Sequence, residues 1–154
     1  MASINRFPLL LLSLPVLLLL LLLLLLLCHA TMSTAKLPEP FSSLKNTNNL
    51  ITPQVQNICT IGYELYYLLW RLGITWGLSV IHYAGPIDAG FLFIPSAAGP
   101  SLGYYVQFAG YRYPNYDGMY MVELSFIIPD IREMKIENVD WQSVRFHGIH
   151  KIHE

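Results

Sequence analysis

Apolar and polar positions change rhythm several times along this chain, and each change predicts an element. Residues 9–27 are almost purely aliphatic, sixteen of the nineteen being Leu, and run from just after Arg6 to Cys28-His29-Ala30. Residues 31–57 lose that pattern: they are rich in Thr, Ser, Asn and Gln, carry Pro38, Pro40 and Pro53 as breakers, and read as a flexible polar lead-in. From residue 58 the chain turns apolar and aromatic again. Glu64, Tyr67 and Arg71 fall on one stripe at intervals of three and four, which predicts a helix over 58–72.

Beyond Gly73 the period becomes two. Ile74, Trp76, Leu78 and Val80 alternate with Thr75, Gly77, Ser79 and Ile81, the rhythm of a half-buried strand. Further strands are expected at 91–94, 104–113, 119–128, 134–139 and 144–152, with Pro86, Pro95, Gly99-Pro100, Pro114 and Pro129 between them. The fold class is therefore mainly β within α+β: a small antiparallel domain of about six strands preceded by one helix, spanning 58–154. The clearest unit is a hairpin of 104–113 with 119–128, turning through Pro114-Asn115-Tyr116-Asp117-Gly118, where Asp-Gly supplies a position tolerant of positive φ. An alternative makes 61–83 a second membrane helix, but Arg71 near its middle costs about 3 kcal/mol against about 4 gained from its aliphatic residues.

The Leu tract changes the address. Its insertion free energy is about −8 kcal/mol, which is ample for the translocon. Cys28-His29-Ala30 places small residues three before and one before a cut after Ala30, the pattern of a cleaved signal peptide, and Ser33-Thr34-Ala35 repeats it. A run of this length would otherwise stay as a signal anchor. Arg6 precedes the run, so residues 31–154 are expected in the lumen or outside the cell in either case.

Without Arg6 the remaining chain has eight Lys and Arg against ten Asp and Glu, so there is no basic field for nucleic acid. Cys59 is then the single cysteine of an oxidising compartment: either a buried apolar residue or a thiol that links two chains as a dimer.

Besides Cys59, three further constellations bear on function. Gly99-Pro100-Ser101-Leu102-Gly103 has the spacing of a serine-hydrolase elbow, with Asp117, Asp130 or Asp140 and then His147, His150 or His153 following in chain order. The stretch after Gly103 alternates like a strand, however, and an elbow needs a helix there. His147, His150 and His153 are weak metal candidates, because on a regular strand His150 would point away from the other two. The standard glycosylation acceptor is absent.

The third is tyrosine: Tyr104, Tyr105, Tyr111, Tyr113, Tyr116 and Tyr120 crowd the hairpin. Val122, Leu124, Phe126 and Ile128 form the core row of the second strand, and the polar Gln107 turns Tyr105, Gln107 and Ala109 outward on the first. Tyr105, Tyr113 and Tyr116 are thus the expected ligand-binding residues, because tyrosine offers apolar area with a polar tip to a sugar or a protein. The expectation is a non-enzymatic binding protein without cofactor, whose partner is a protein or a glycan. Alternatives are a membrane-anchored accessory subunit and a hydrolase centred on Ser101.

Overall fold

The computed structural model describes residues 36–74, 80–95, 99–129 and 132–153. The Leu run, both small-x-small sites, residues 75–79 of the expected first strand, Asp130 and Glu154 lie outside the described residues. So does the side chain of His153.

One helix packs on a five-stranded antiparallel sheet. Strand β1 (Ser42–Ser43) precedes helix α1 (Pro53–Arg71); β2 (Val80–Ile94), β3 (Ser101–Tyr113), β4 (Met119–Ile128) and β5 (Asp140–His153) follow it, with a 3-10 turn at Ile136–Asn138 before β5. The sheet order is β1-β2-β3-β4-β5, each strand pairing with its neighbour in sequence.

The helix begins five residues before the expected start. Thr52 is its N-cap, accepting from the Val55 N–H at 3.2 Å, and Pro53 occupies the first turn. A proline there loses no helical hydrogen bond, so a residue expected to break structure starts it instead. At the other end Gly73, with φ 72°, donates to Trp70 O, and Ile74 donates to Leu69 O, both at 3.0 Å. This paired closure is a Schellman motif and ends the helix at Arg71. A membrane helix over 61–83 is thereby overturned, since 61–71 finish α1 and 80–83 open β2. Among the described residues no helix is long and apolar enough to cross a membrane.

Val55, Ile58, Cys59, Gly62, Leu65 and Tyr66 form the buried stripe of α1. They meet Tyr104, Val106 and Phe108 of β3 and Tyr120, Val122, Leu124, Phe126 and Ile128 of β4, all buried. The core row expected on β4 is the one observed. Contact is closest at Gly62, where a Cβ would come within 2.5 Å of Val106 Cγ2.

Two expected strands are replaced by other structure. Residues 134–139 carry the 3-10 turn, and the stretches on either side of Pro86 are one strand, because bulges between Tyr83 and Gly85 and between Pro86 and Asp88 absorb the proline. The polar lead-in also carries structure. Ser42 and Ser43 pair with Phe91 and Gly90, Leu44 N–H donates to Ala89 O at 2.8 Å, and Lys45 Nζ lies 3.3 Å from the buried Asp88 carboxylate.

Gly62→Ala should unfold at a temperature several degrees lower. The clash with Val106 costs about 1–3 kcal/mol, more than the helix propensity of about 1 kcal/mol that alanine gains. Gly85→Ala, whose Cβ meets nothing within 4 Å, should shift stability by no more than about 0.5 kcal/mol. Thermal unfolding of the two variants side by side checks the pair.

Candidate functional site

The hairpin turn builds an aromatic corner. Tyr113 ends β3 and is followed by Pro114, and the chain then turns through Tyr116 at φ 47° and Gly118 at φ 141°. The Tyr116 N–H donates to Arg112 O at 2.7 Å, fixing the turn. Antiparallel register sets His82 of β2 opposite Tyr111, two residues before Tyr113. The His82 ring stacks on Tyr116 at 6.1 Å and 23°, and meets the edge of Tyr113 at 5.4 Å and 73°. Tyr113 and Tyr116 stand at 87° to each other, 6.1 Å apart. Each ring braces the others, yet Tyr113 keeps 49% and Tyr116 56% of its surface in solvent.

The turn is tied down from the core side as well. Arg112 lies over the Tyr120 ring at 4.3 Å, and the Tyr120 hydroxyl donates to Asp117 Oδ2 at 3.0 Å. Arg112 approaches the same carboxylate oxygen at 3.9 Å. Sequence reasoning missed His82, whose place in the corner depends on the β2–β3 register and carries no local signal.

Tyr105 does not join this corner. It was expected on an open face, but only 7% of it reaches solvent. Its ring packs 5.4 Å from Phe41 and stacks 5.0 Å from His147. Phe41 and Leu37 of the lead-in lie so close to Gly90, which pairs with Tyr105, that a Cβ at Gly90 would come within 3.0 Å of both. Burial pushes the Tyr105 phenol up to about 12, and the neighbouring Glu123 carboxylate adds to the shift.

This second face of the sheet carries a polar row. Gln107 Nε2 donates to Glu123 Oε1 at 2.6 Å, and Glu123 Oε2 lies 3.1 Å from His150 Nε2. His147 Nε2 is 2.8 Å from Ser125 Oγ. His147 and His150 therefore share a face, contrary to strict alternation. The cause is the irregularity in β5 opposite Glu123 and Leu124, where Glu123 pairs with Gly148 and Leu124 with Phe146. Among the described residues no group of three or more His, Cys, Asp or Glu could hold a metal.

Ser101 opens β3 and pairs with Ile94, so a strand follows it where an elbow would need a helix. An apolar groove of about 380 Å³ lies elsewhere, lined by Tyr63, Glu64, Tyr67, Leu68 and Ile136.

Cys59 is fully buried on the sheet-facing side of α1, and its thiol donates to Asp88 O at 3.4 Å and Gln107 O at 3.5 Å. Cys59 thus takes the buried of its two expected positions. Burial, reinforced by the Asp88 charge, raises the thiol from 9.0 to about 12. The fold thus holds neutral a thiol and two buried phenols, since Tyr66 and Tyr105 are both raised from 10.0 to about 12. A raised folded value means that the stability these groups contribute is complete below the unfolded value. It is lost as pH climbs from about 9 toward 12. Denaturant midpoints should therefore fall across that window, and Cys59 should resist a disulfide reagent until the protein unfolds. Comparison with known proteins finds no family model, no curated protein and no solved structure that matches this chain.

Proposed function

We propose that this chain is a secreted or lumenal, non-enzymatic binding protein that recognises a protein or glycan partner through the aromatic corner of His82, Tyr113 and Tyr116. One observation carries the reading: Tyr113 and Tyr116 at the hairpin turn and His82 of the neighbouring β2 brace one another, while both tyrosines stay about half exposed. Exposed aromatic area is ordinarily hidden, and rings fixed in advance lose little entropy when a partner arrives. Tyrosine suits both classes of partner, because its face stacks on sugar C–H groups or apolar side chains and its hydroxyl hydrogen-bonds at the rim. The Leu run and Cys28-His29-Ala30 support the secretory address. An uncleaved run would tether the same surface on the lumenal side.

Two measurements test this. N-terminal sequencing of the protein recovered from a secreting cell should begin at Thr31. An intact Met1 in a fraction resistant to alkaline extraction would replace the secreted form by the anchored one.

Tyr113→Ala and Tyr116→Ala should each leave thermal unfolding nearly unchanged, since exposed substitutions shift stability by about 0.5 kcal/mol. Binding, read on a glycan array and against candidate lumenal proteins, should weaken roughly thirty-fold, the loss of about 2 kcal/mol typical of a hot-spot residue. Tyr105→Ala is the contrasting variant: it should lose about 3 kcal/mol of stability, as buried aromatic truncations do. Unchanged binding in the Tyr113 and Tyr116 variants would sink the proposal.

A further inference from the structure

We propose that the C-terminal end of α1, residues 67–74, is a membrane-contact tip that sinks into the interfacial layer of a lipid bilayer without crossing it. Tyr66 is the last buried residue of the helix. Residues 67–74, Tyr-Leu-Leu-Trp-Arg-Leu-Gly-Ile, all keep surface in solvent, and Arg71 is the single charge among them. Leu72 at 68% and Ile74 at 63% are the most exposed large hydrophobic residues among those described.

Six consecutive helical positions, about 100° apart, close a full circle, so this end is apolar on nearly every side rather than along one stripe. A helix of that kind belongs in apolar surroundings. A protein groove covers one stripe, whereas a fluid bilayer takes in a projecting end from all sides. Eight residues are far too few to span, since a membrane helix needs about 20. Two turns reach roughly 12 Å, close to the 5–10 Å to which interfacial helices sink.

The chemistry of the tip also suits lipid. Tyr67 packs 5.7 Å from Trp70 and 6.4 Å from Tyr63, and such rings favour the headgroup level. Residues 65–87 contain no Asp or Glu, so no carboxylate has to leave water, and the exposed Glu64 marks the limit of entry. Helical side chains lean toward the N-terminus, which carries the Arg71 guanidinium back toward water while its stem lies in the apolar layer. Carbonyls that a helix end ordinarily leaves to water are closed here: Leu72 N–H donates to Leu68 O at 2.9 Å, and Gly73 and Ile74 close Trp70 O and Leu69 O. That lowers the cost of taking the backbone into lipid. The Leu run brings the chain to a bilayer, and if left uncut it holds the domain by residues 28–35, a tether of at most about 28 Å.

Depth is the quantity to measure, because it serves both the secreted protein added to phosphatidylcholine vesicles and the anchored protein reconstituted into them. Trp76→Phe with Trp141→Phe leaves Trp70 as the only tryptophan. Lipid brominated on its acyl chains should quench Trp70 at least roughly twofold. On the unmodified protein, hydrogen exchange at residues 67–74 should be slower in vesicles than free of lipid. Leu72→Glu with Ile74→Glu should abolish the quenching and leave thermal unfolding nearly unchanged, since both side chains are exposed. Tyr116→Ala should quench as before, which separates this contact from the aromatic corner. Phosphatidylserine should strengthen binding of the secreted form only about fivefold, the share of one arginine. No quenching and no slowed exchange, contact with anionic vesicles alone, equal quenching in the double Glu variant, loss in Tyr116→Ala, or a dimer that the double Glu variant dissociates would each overturn the proposal.

Discussion

The close approach of Gly62 on α1 to Val106 on β3 sets how the helix lies on the sheet. A side chain at residue 62 would meet Val106 Cγ2 at 2.5 Å, so the helix can lie this near the sheet only where it has none. Cys59, one turn earlier, is small too, and its thiol reaches backbone carbonyls of both β2 and β3. Beyond Gly62 the interface widens, and Tyr63 and Tyr66 fill it by packing against Phe108 at 5.8 and 6.1 Å. Small residues at one point and aromatic ones at the next let a single helix follow a twisted sheet and bury one of its faces.

The other face is closed by a different device. Leu37 and Phe41 lie over Gly90 and Tyr105, while Asp88, Gln107 and Glu123 are drawn inward as a polar row with Lys45 at one end and His150 at the other. Groups of this kind are tolerated away from water when their partners satisfy them. One atom breaks the pattern: Gln107 Oε1 is buried without a hydrogen-bond partner among the described residues. With both faces partly covered, exposed aromatic rings remain at the turn in Tyr113 and Tyr116, on β2 in Phe91 and Phe93, on β3 in Tyr111 and on β5 in Trp141.

That distribution explains which parts of the fold were legible from residues alone. The row Val122, Leu124, Phe126 and Ile128 alternates without interruption, and it is buried as its period requires. The hairpin turn was legible for the same reason, since proline and Asp-Gly act locally. Tyr105 was misplaced because alternation assigns a residue to a face and is silent on whether another segment covers that face. The covering residues, Leu37 and Phe41, sit in a stretch whose composition is polar. His147 and His150 were separated by a strict period of two that the irregularity in β5 cancels. Pro53 and Pro86 both read as breaks, yet one starts a helix and the other rides a bulge, because the effect of proline depends on whether its missing N–H is needed. His82 could not have been found locally at all, since only the pairing of β2 with β3 brings it to Tyr113 and Tyr116.

Register also connects the hairpin turn with the end of β5. Met119 is the first residue of β4 after the hairpin turn, and it pairs with His153 at the far end of β5. The aromatic corner and the end of β5 therefore sit at the same end of the sheet, separated by the width of one strand pair. The corner is held by the turn and by the Arg112, Asp117 and Tyr120 contacts beneath it; β5 runs beside a β4 whose inner row is wholly buried, with irregularities opposite Met119–Tyr120 and Glu123–Leu124. Both depend on the same hairpin, and α1 packs on that hairpin at Val106 and Phe108.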